Sequence, residues 1–361
     1  MKQKIYINGR FLTQRITGVQ RVAEEIVKKL DDKITQVNLG QKIEFVILTP
    51  KNTLRSLPLK NIKVKSIGFL EGHLWEQFLL PFYCINGLLL NFCNTAPVIK
   101  RNQIVYIHDA AVFSKPEGYS RKFVAIYKLI LSILARKSKK VITVSDFSKE
   151  ELQTYLPALK GKINTVYLGI DHMYQGKIDN NIFKKHSIIP GDYMLAVSSM
   201  HPNKNFQVVL EALRRIENFK GQFVIAGGIQ KGVFSSSSIK LDTNVKHVGY
   251  VSDEELKALY KNAKAFIFPS IYEGFGLPPL EAMSLGCPVL AANAASIPEV
   301  CGDAPLYFNP YEPESLVGLI KSIYKDQELV QNLKKKSETQ SEKYRWEQTA
   351  QKLINIIENS K

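Results

Sequence analysis

Cysteine is scarce and scattered in this chain. Cys84, Cys93, Cys287 and Cys301 stand far apart in apolar or proline-rich settings, with no C-x-x-C-type spacing between them. That rules out a zinc ribbon or a disulfide scaffold, and the expectation is free buried thiols in a reducing cytoplasm. Long hydrophobic runs are missing as well. The longest, Phe78–Cys93 and Ile126–Ala135, fall short of the roughly 20 apolar residues of a bilayer span, and Lys128 interrupts the second. Lys2 and Lys4 lead into a short strand pattern and not into the apolar core of a secretory signal. There is no G-x-G-x-x-G after a strand, which removes a nicotinamide dehydrogenase. Nor does an Asp-x-Asp pair follow a strand to hold Mg²⁺ or Mn²⁺, so no metal ligand is assigned and no cofactor is expected.

Acid is the other shortage, and it is local. The net charge is +16 over 361 residues, but residues 1–175 hold 27 Lys and Arg against 13 Asp and Glu, whereas residues 176–361 hold 22 against 20. A field confined to one half implies an acidic partner for that half, such as anionic lipid, a lipid pyrophosphate or nucleic acid. A basic face that serves only solubility is the bland alternative.

What is present is a repeating alternation of short apolar strand and amphipathic helix, the pattern of parallel α/β architecture. Strands are predicted at Lys4–Ile7, Phe45–Leu48, Ile104–Ile107 and Val141–Val144. A second set is predicted at Met194–Val197, Phe223–Ala226, His247–Val248, Ala265–Phe268 and Val289–Ala291. Ser148 with Glu151, and Ser252 with Glu255, read as capping boxes. Phe206, Val209, Leu210, Leu213 and Ile216 carry the period of a helix with one buried face. A polar shift at Gly169-Ile170-Asp171 and beyond places a linker near 168–190. The expected division is an N-terminal domain at 1–170, a C-terminal domain at 190–344 and a terminal helical segment at 345–361.

The segment that carries chemistry is Glu273-Gly274-Phe275-Gly276-Leu277-Pro278-Pro279-Leu280-Glu281. It follows a predicted strand and opens a helix that ends near Gly286. Two glycines let backbone approach a ligand, the prolines preset the first helical turn, and the helix N-terminus offers unpaired N–H groups to a phosphate. Glu281, placed in the first turn, suits a ribose diol, and Glu273 on the loop suits a sugar. A plain strand-to-helix turn with two incidental acids is the bland alternative.

This segment resembles the E-G-F-G-L-P-x-x-E signature of the retaining glycosyltransferase family 4. Val197-Ser198-Ser199-Met200-His201-Pro202-Asn203-Lys204-Asn205 is similar to the family's V-G-[RT]-x-x-P-x-K-N, and Val248–Leu256 to its G-x-V-s-d-e-e-L. His108-Asp109, Thr17-Gly18-Val19-Gln20-Arg21 and Trp346-Glu347-Gln348-Thr349-Ala350 extend the resemblance over nearly the whole chain. It implies the GT-B fold: two Rossmann-like α/β domains facing across a cleft, with a C-terminal helix crossing back to the N-domain. It also implies transfer of a sugar from a nucleotide-diphosphate donor with retention and without a metal.

Carried over by position, the resemblance implies that Lys204 meets the donor diphosphate, as does the helix opened by Gly18. Backbone at Gly274, Phe275, Gly276 and Leu277 would meet the sugar and its phosphate. Glu281 would hold the ribose, Glu273 a sugar hydroxyl, and Tyr250 and Val251 would lie near the base. His108 would sit beside the reacting carbon; a satisfied structural histidine is the alternative. Ser199 stands where many members have an arginine, with Arg21 as a substitute base on the acceptor side.

Arg121, Lys122 and Lys128, with Arg136, Lys137, Lys139 and Lys140, surround apolar residues on one predicted helix. Contact with an anionic membrane surface and burial as a core helix are both open readings. His73, Trp75 and Glu76 read as core and surface, and Tyr106 as packing on the strand face opposite His108. Expected partners are a nucleotide-diphosphate sugar and a saccharide acceptor, polyprenyl-diphosphate-linked in surface polysaccharide assembly. The expected place is the inner face of the cytoplasmic membrane. A basic nucleic-acid-binding protein lacks its motifs here, and a sugar phosphorylase of similar fold is the nearer rival.

Overall fold

The computed structural model describes residues 2–36, 39–197, 201–217, 219, 221–228 and 244–360. The chain divides into two compact units. Unit 1 comprises Met1–Gly169 with Trp346–Lys361, and unit 2 is Ile170–Arg345. The segment 168–190, read as linker from its polarity, is divided: 168–169 end the first stretch of unit 1, and 170–190 are counted with unit 2 and carry short helices at Asp171–Tyr174 and Asn181–His186.

Unit 1 is built on a seven-stranded parallel sheet: β1 (Gln3–Asn8), β2 (Ile43–Thr49), β3 (Lys63–Ser66), β4 (Leu88–Asn91), β5 (Gln103–Tyr106), β6 (Lys140–Thr143) and β7 (Ile163–Thr165). Their order is β3-β2-β1-β4-β5-β6-β7. Unit 2 carries six parallel strands: β8 (Tyr193–Val197), β9 (Gln222–Ala226), β10 (Val245–Gly249), β11 (Ala265–Phe268), β12 (Val289–Ala292) and β13 (Leu306–Phe308). Their order is β10-β9-β8-β11-β12-β13. Both sheets therefore reverse direction beside their first strand, between β1 and β4 and between β8 and β11. In open α/β sheets that reversal opens the crevice where ligands bind, outside the carboxyl ends of the strands.

Every strand expected from the sequence is present within a residue or two of its predicted ends. Four were not foreseen. Lys63–Ser66 is exposed along its whole length and carries no apolar pattern. Leu88–Asn91 hides inside the longest apolar run. The remaining two, β7 and β13, are three residues each.

The principal helices are α1 (Gly18–Gln36), α2 (Arg121–Lys137), α3 (Asp146–Tyr155), α4 (Phe206–Arg214), α5 (Asp253–Asn262), α6 (Leu277–Ser284), α7 (Pro313–Lys325), α8 (Gln327–Ser341) and α9 (Trp346–Glu358). No helix among the described residues is long and apolar enough to cross a membrane. The capping box at Ser252 and Glu255 is formed on both sides. The one expected at Ser148 and Glu151 is not. Ser145 caps α3 by accepting from the Ser148 amide, Ser148 Oγ donates to the His108 carbonyl, and Glu151 accepts from Ser114. The run Ser145-x-x-Ser148-x-x-Glu151 contains two overlapping cap patterns, and the earlier serine starts the helix.

α9 returns to unit 1. Trp346 is fully buried, Glu347 pairs with Lys33 of α1, and Thr349 Oγ1 donates to the Tyr167 carbonyl at 2.8 Å. Three of the four cysteines are buried and all four thiols are free.

Candidate active site

In unit 2 the loops after β8 and β11 meet at the point of strand reversal. Ile271 N donates to the Asn203 carbonyl at 2.9 Å, which ties the two loops together. Lys204 ends a short 3₁₀ turn over Pro202–Lys204, and Asn205 stops it in the left-handed region at φ 48° with its amide on the Pro310 carbonyl. The result places Lys204 Nζ 2.5 Å from Glu273 Oε1, with both side chains only partly exposed. Ser296 Oγ holds the Glu273 carbonyl from below at 2.9 Å. This is a charged pair at the carboxyl ends of the two central strands of the sheet.

Gly276 is the residue that makes the turn into α6. Its φ of 95° is a conformation that L side chains rarely adopt, and it sits at the N-cap without a capping side chain. No side chain caps α6, and of its first three residues only Leu277 carries a backbone N–H, because Pro278 and Pro279 have none. Phe275 is buried and packs edge-on against Tyr344 at 5.7 Å, and Leu277 is buried too, so the loop is anchored on both sides of its glycine. Gly274 completes the loop. Glu281 is not in the first turn as expected: α6 begins at Leu277, so Glu281 is its fifth residue. There its Oε1 lies 3.3 Å from His172 Nε2 and its Oε2 accepts from Tyr260 Oη at 3.3 Å.

Tyr250 and Val251 follow β10. Tyr250 is exposed, with its ring lying over Gly228: a Cβ there would meet Tyr250 Oη at 2.5 Å. Ser199 lies outside the described residues. Among the described residues, no group of three or more His, Cys, Asp or Glu side chains is arranged to hold a metal ion.

Unit 1 carries the other expected residues. His108 follows β5 and is almost wholly buried. Its Nε2 lies 2.7 Å from the Phe92 carbonyl, which fixes Nε2 as a donor, and its amide bonds Asn94 Oδ1 at 2.8 Å. Burial lowers the imidazole below its ordinary value, against the Phe92 hydrogen bond and the charge of Asp109. Tyr106 does not face away from His108: it ends β5, His108 lies two residues on, and their rings are 6.2 Å apart. Gly18 opens α1 into empty space, since a Cβ built on it meets nothing within 4 Å. Arg21, one turn on, acts electrostatically on Arg55, whose guanidinium is lowered first by burial and then by that like charge.

The strongest feature of unit 1 was not foreseen. Arg10, after β1, donates Nε to Glu76 Oε1 at 3.1 Å and Nη2 to Thr95 Oγ1 at 2.8 Å, and both charged side chains are buried. Asn8 bridges Glu76 and Asn91, and His73 Nδ1 reaches Glu76 Oε2 at 3.3 Å. Burial alone would raise the Glu76 carboxyl, but His73, the Arg10 charge and the Asn8 amide together hold it below its ordinary range. The pair sits at the carboxyl ends of β1 and β4, the reversal point of this sheet. Glu76, Leu80 and Cys84 share one helical stripe, but Leu74, Phe78 and Phe82 form an equally apolar stripe on the same segment, so the sequence does not mark Glu76 as buried.

α2 shows an apolar face to solvent. Ile126 and Leu129 are 58% and 62% exposed, with Phe123 beside them and Arg121, Lys122 and Lys128 on the same helix. Leu131, Leu134 and Ala135 form the buried side. The core reading holds for one side of the helix, and the other side presents basic and apolar residues to solvent.

Residues 178–340, within the second of two parallel α/β units, match the family described as Glycosyl transferases group 1. Among its relatives, the O-antigen chain mannosyltransferase B of Escherichia coli is 29% identical over 263 residues, 70% of this chain and 69% of its own length. The O-antigen chain mannosyltransferase RfbU of Salmonella typhimurium is 29% identical over 64% of this chain and 63% of its own. The solved structure of WaaG, a glycosyltransferase involved in lipopolysaccharide biosynthesis, superimposes with a TM-score of 0.73 at 15% identity, covering 99% of each chain. Anabaena HepE in complex with UDP and glucose gives the same score and identity over 99% of this chain and all of its own.

Proposed function

We propose that this chain transfers mannose from GDP-mannose, with retention and without a metal, to a saccharide acceptor carried on a polyprenyl diphosphate in surface polysaccharide assembly. The observation that carries the reading is the Lys204–Glu273 pair beside the open N-terminus of α6. Lys204 and the backbone N–H groups of Gly276 and Leu277 stabilise the departing diphosphate where charge develops, and Glu273 orients a sugar hydroxyl. The bond from the anomeric carbon to the diphosphate oxygen breaks and the bond to the acceptor oxygen forms on the same face. The acceptor's hydroxyl proton passes to the departing diphosphate. The relatives named as mannosyltransferases support mannose, and their O-antigen role supports a surface-polysaccharide acceptor. The basic, apolar face of α2 supports peripheral contact with anionic lipid at the inner face of the cytoplasmic membrane.

The test is a thermal-shift screen with GDP, UDP, dTDP and ADP, with and without EDTA, on wild type and Lys204→Ala. GDP alone should raise the melting point, equally in EDTA, and should lose its effect in the variant. Stabilisation by another nucleotide would replace the donor, and a requirement for metal would overturn the metal-free mechanism. Trapping a glycosyl–enzyme intermediate would overturn same-face attack.

A further inference from the structure

Both oxygens of the Glu281 carboxylate are engaged by groups outside the donor loop. Tyr260 comes from α5, is fully buried and packs edge-on against Phe266 at 5.3 Å. Burial, and next the Glu281 charge, push its hydroxyl far above its ordinary value, so it remains a donor. His172 comes from the turn Asp171–Tyr174, which opens unit 2. That turn is clamped in place. Ile170 N donates to the Tyr344 carbonyl at 3.2 Å, Met173 is buried, Lys257 Nζ bonds the Gln175 carbonyl, and the Arg345 guanidinium lies 5.1 Å from the Tyr174 ring centre. Neither donor is placed to follow the carboxylate if it rotates.

A carboxylate offers about four lone-pair sites. Two are taken here, one on each oxygen, and two remain for the two hydroxyls of a cis diol. A long acidic side chain that must be frozen on binding loses rotamer freedom. This one is fixed beforehand, from both ends.

We propose that His172 is a positioning residue for the ribose of the nucleotide donor: with Tyr260 it holds the Glu281 carboxylate in the rotamer that accepts from both ribose hydroxyls. The inference rests on the donor site proposed above. It places selectivity for the ribose diol partly in a turn far from the donor motif in sequence.

Calorimetric titration of the full chain tests it, using whichever nucleoside diphosphate the wild type binds and its 2′,3′-dideoxy counterpart. Wild type should prefer the ribonucleotide by at least about tenfold, since buried acceptors aimed at hydroxyls reject an analogue that lacks them. His172→Ala should reduce that preference to about threefold or less while affinity for the dideoxynucleotide stays within about twofold. His172→Gln, which retains an N–H donor, should recover most of the preference. If His172→Ala keeps the full preference, or weakens both nucleotides equally, the positioning role is overturned. Equal binding of both nucleotides by wild type would also overturn it while leaving the donor site intact. No binding of any nucleoside diphosphate by wild type would remove the donor site, and this inference with it.

Discussion

Lys204 Nζ and Glu273 Oε1 are 2.5 Å apart although their residues are 69 positions apart in sequence. The contact joins the loop after β8 to the loop after β11. A partly exposed pair of this kind adds little to stability. Lys204→Ala should therefore unfold within about 1 kcal/mol of wild type in urea. At a hundred times the dissociation constant, a nucleotide should stabilise wild type by about 2.7 kcal/mol and the variant by far less. A variant as responsive as wild type would show that Lys204 does not touch the donor.

Gly276 should tolerate no side chain. Its φ of 95° makes Gly276→Ala strained by about 1–2 kcal/mol, although the nearest atom to the added methyl is 3.5 Å away. Backbone, not crowding, is the obstacle. Loss of nucleotide-induced stabilisation should accompany a small fall in melting temperature. Unchanged melting would contradict the strain.

Gly18 is the opposite case, with open space around its Cβ position. Gly18→Ala should leave stability within about 0.5 kcal/mol. A lowered kcat/KM in a transfer assay at full stability would mark Gly18 as a residue that a ligand approaches closely.

Stability should fall as pH drops, in two separable windows. His108 has a lowered value in the folded state, so below about pH 6.5 the unfolded chain binds more protons than the folded one. Its contribution is present above that pH and is lost as pH falls toward the folded value. Glu76 is also lowered, so its contribution is present above its unfolded value and is lost at still lower pH. Urea unfolding at pH 7, 5.5 and 4 should show decreasing stability, with the acid-side loss reduced in Glu76→Gln. Glu76→Ala should cost about 3–5 kcal/mol at pH 7, because it strands a buried arginine. A rise in stability between pH 7 and 5.5 would refute the assignment.

The exposed face of α2 should confer lipid binding. Ile126→Asp combined with Leu129→Asp should abolish co-sedimentation with vesicles containing anionic lipid while melting changes little, since both positions are more than half exposed. Binding by wild type should weaken with salt as surface charges are screened. Equal sedimentation of wild type with neutral vesicles would point to the apolar residues alone.

Much of this was legible in the sequence, for a physical reason in each case. The β11-to-α6 turn announces itself because glycine and proline narrow the backbone choices at Gly274, Gly276, Pro278 and Pro279. The long-range brackets did not. Arg10 and Glu76 are 66 residues apart, and His172 is 109 before Glu281, so no local period connects them. Glu76 was harder still: Leu74, Phe78 and Phe82 make the opposite side of its helical segment apolar and exposed, so periodicity could not tell inside from outside. β3 escaped because none of its residues is buried, and the start of α3 was misplaced because two serines compete for one cap.

Unit 1 consists of two stretches of chain separated by the whole of unit 2. During synthesis, residues 1–169 emerge without Trp346, Thr349 and the Glu347 partner of Lys33, whereas unit 2 emerges as one uninterrupted piece. The N-terminal unit must therefore wait, with the α1 surface that receives α9 uncovered, until residues 346–358 have been made. Unit 2 is free to reach its native state first, which reverses the order expected from simple vectorial synthesis.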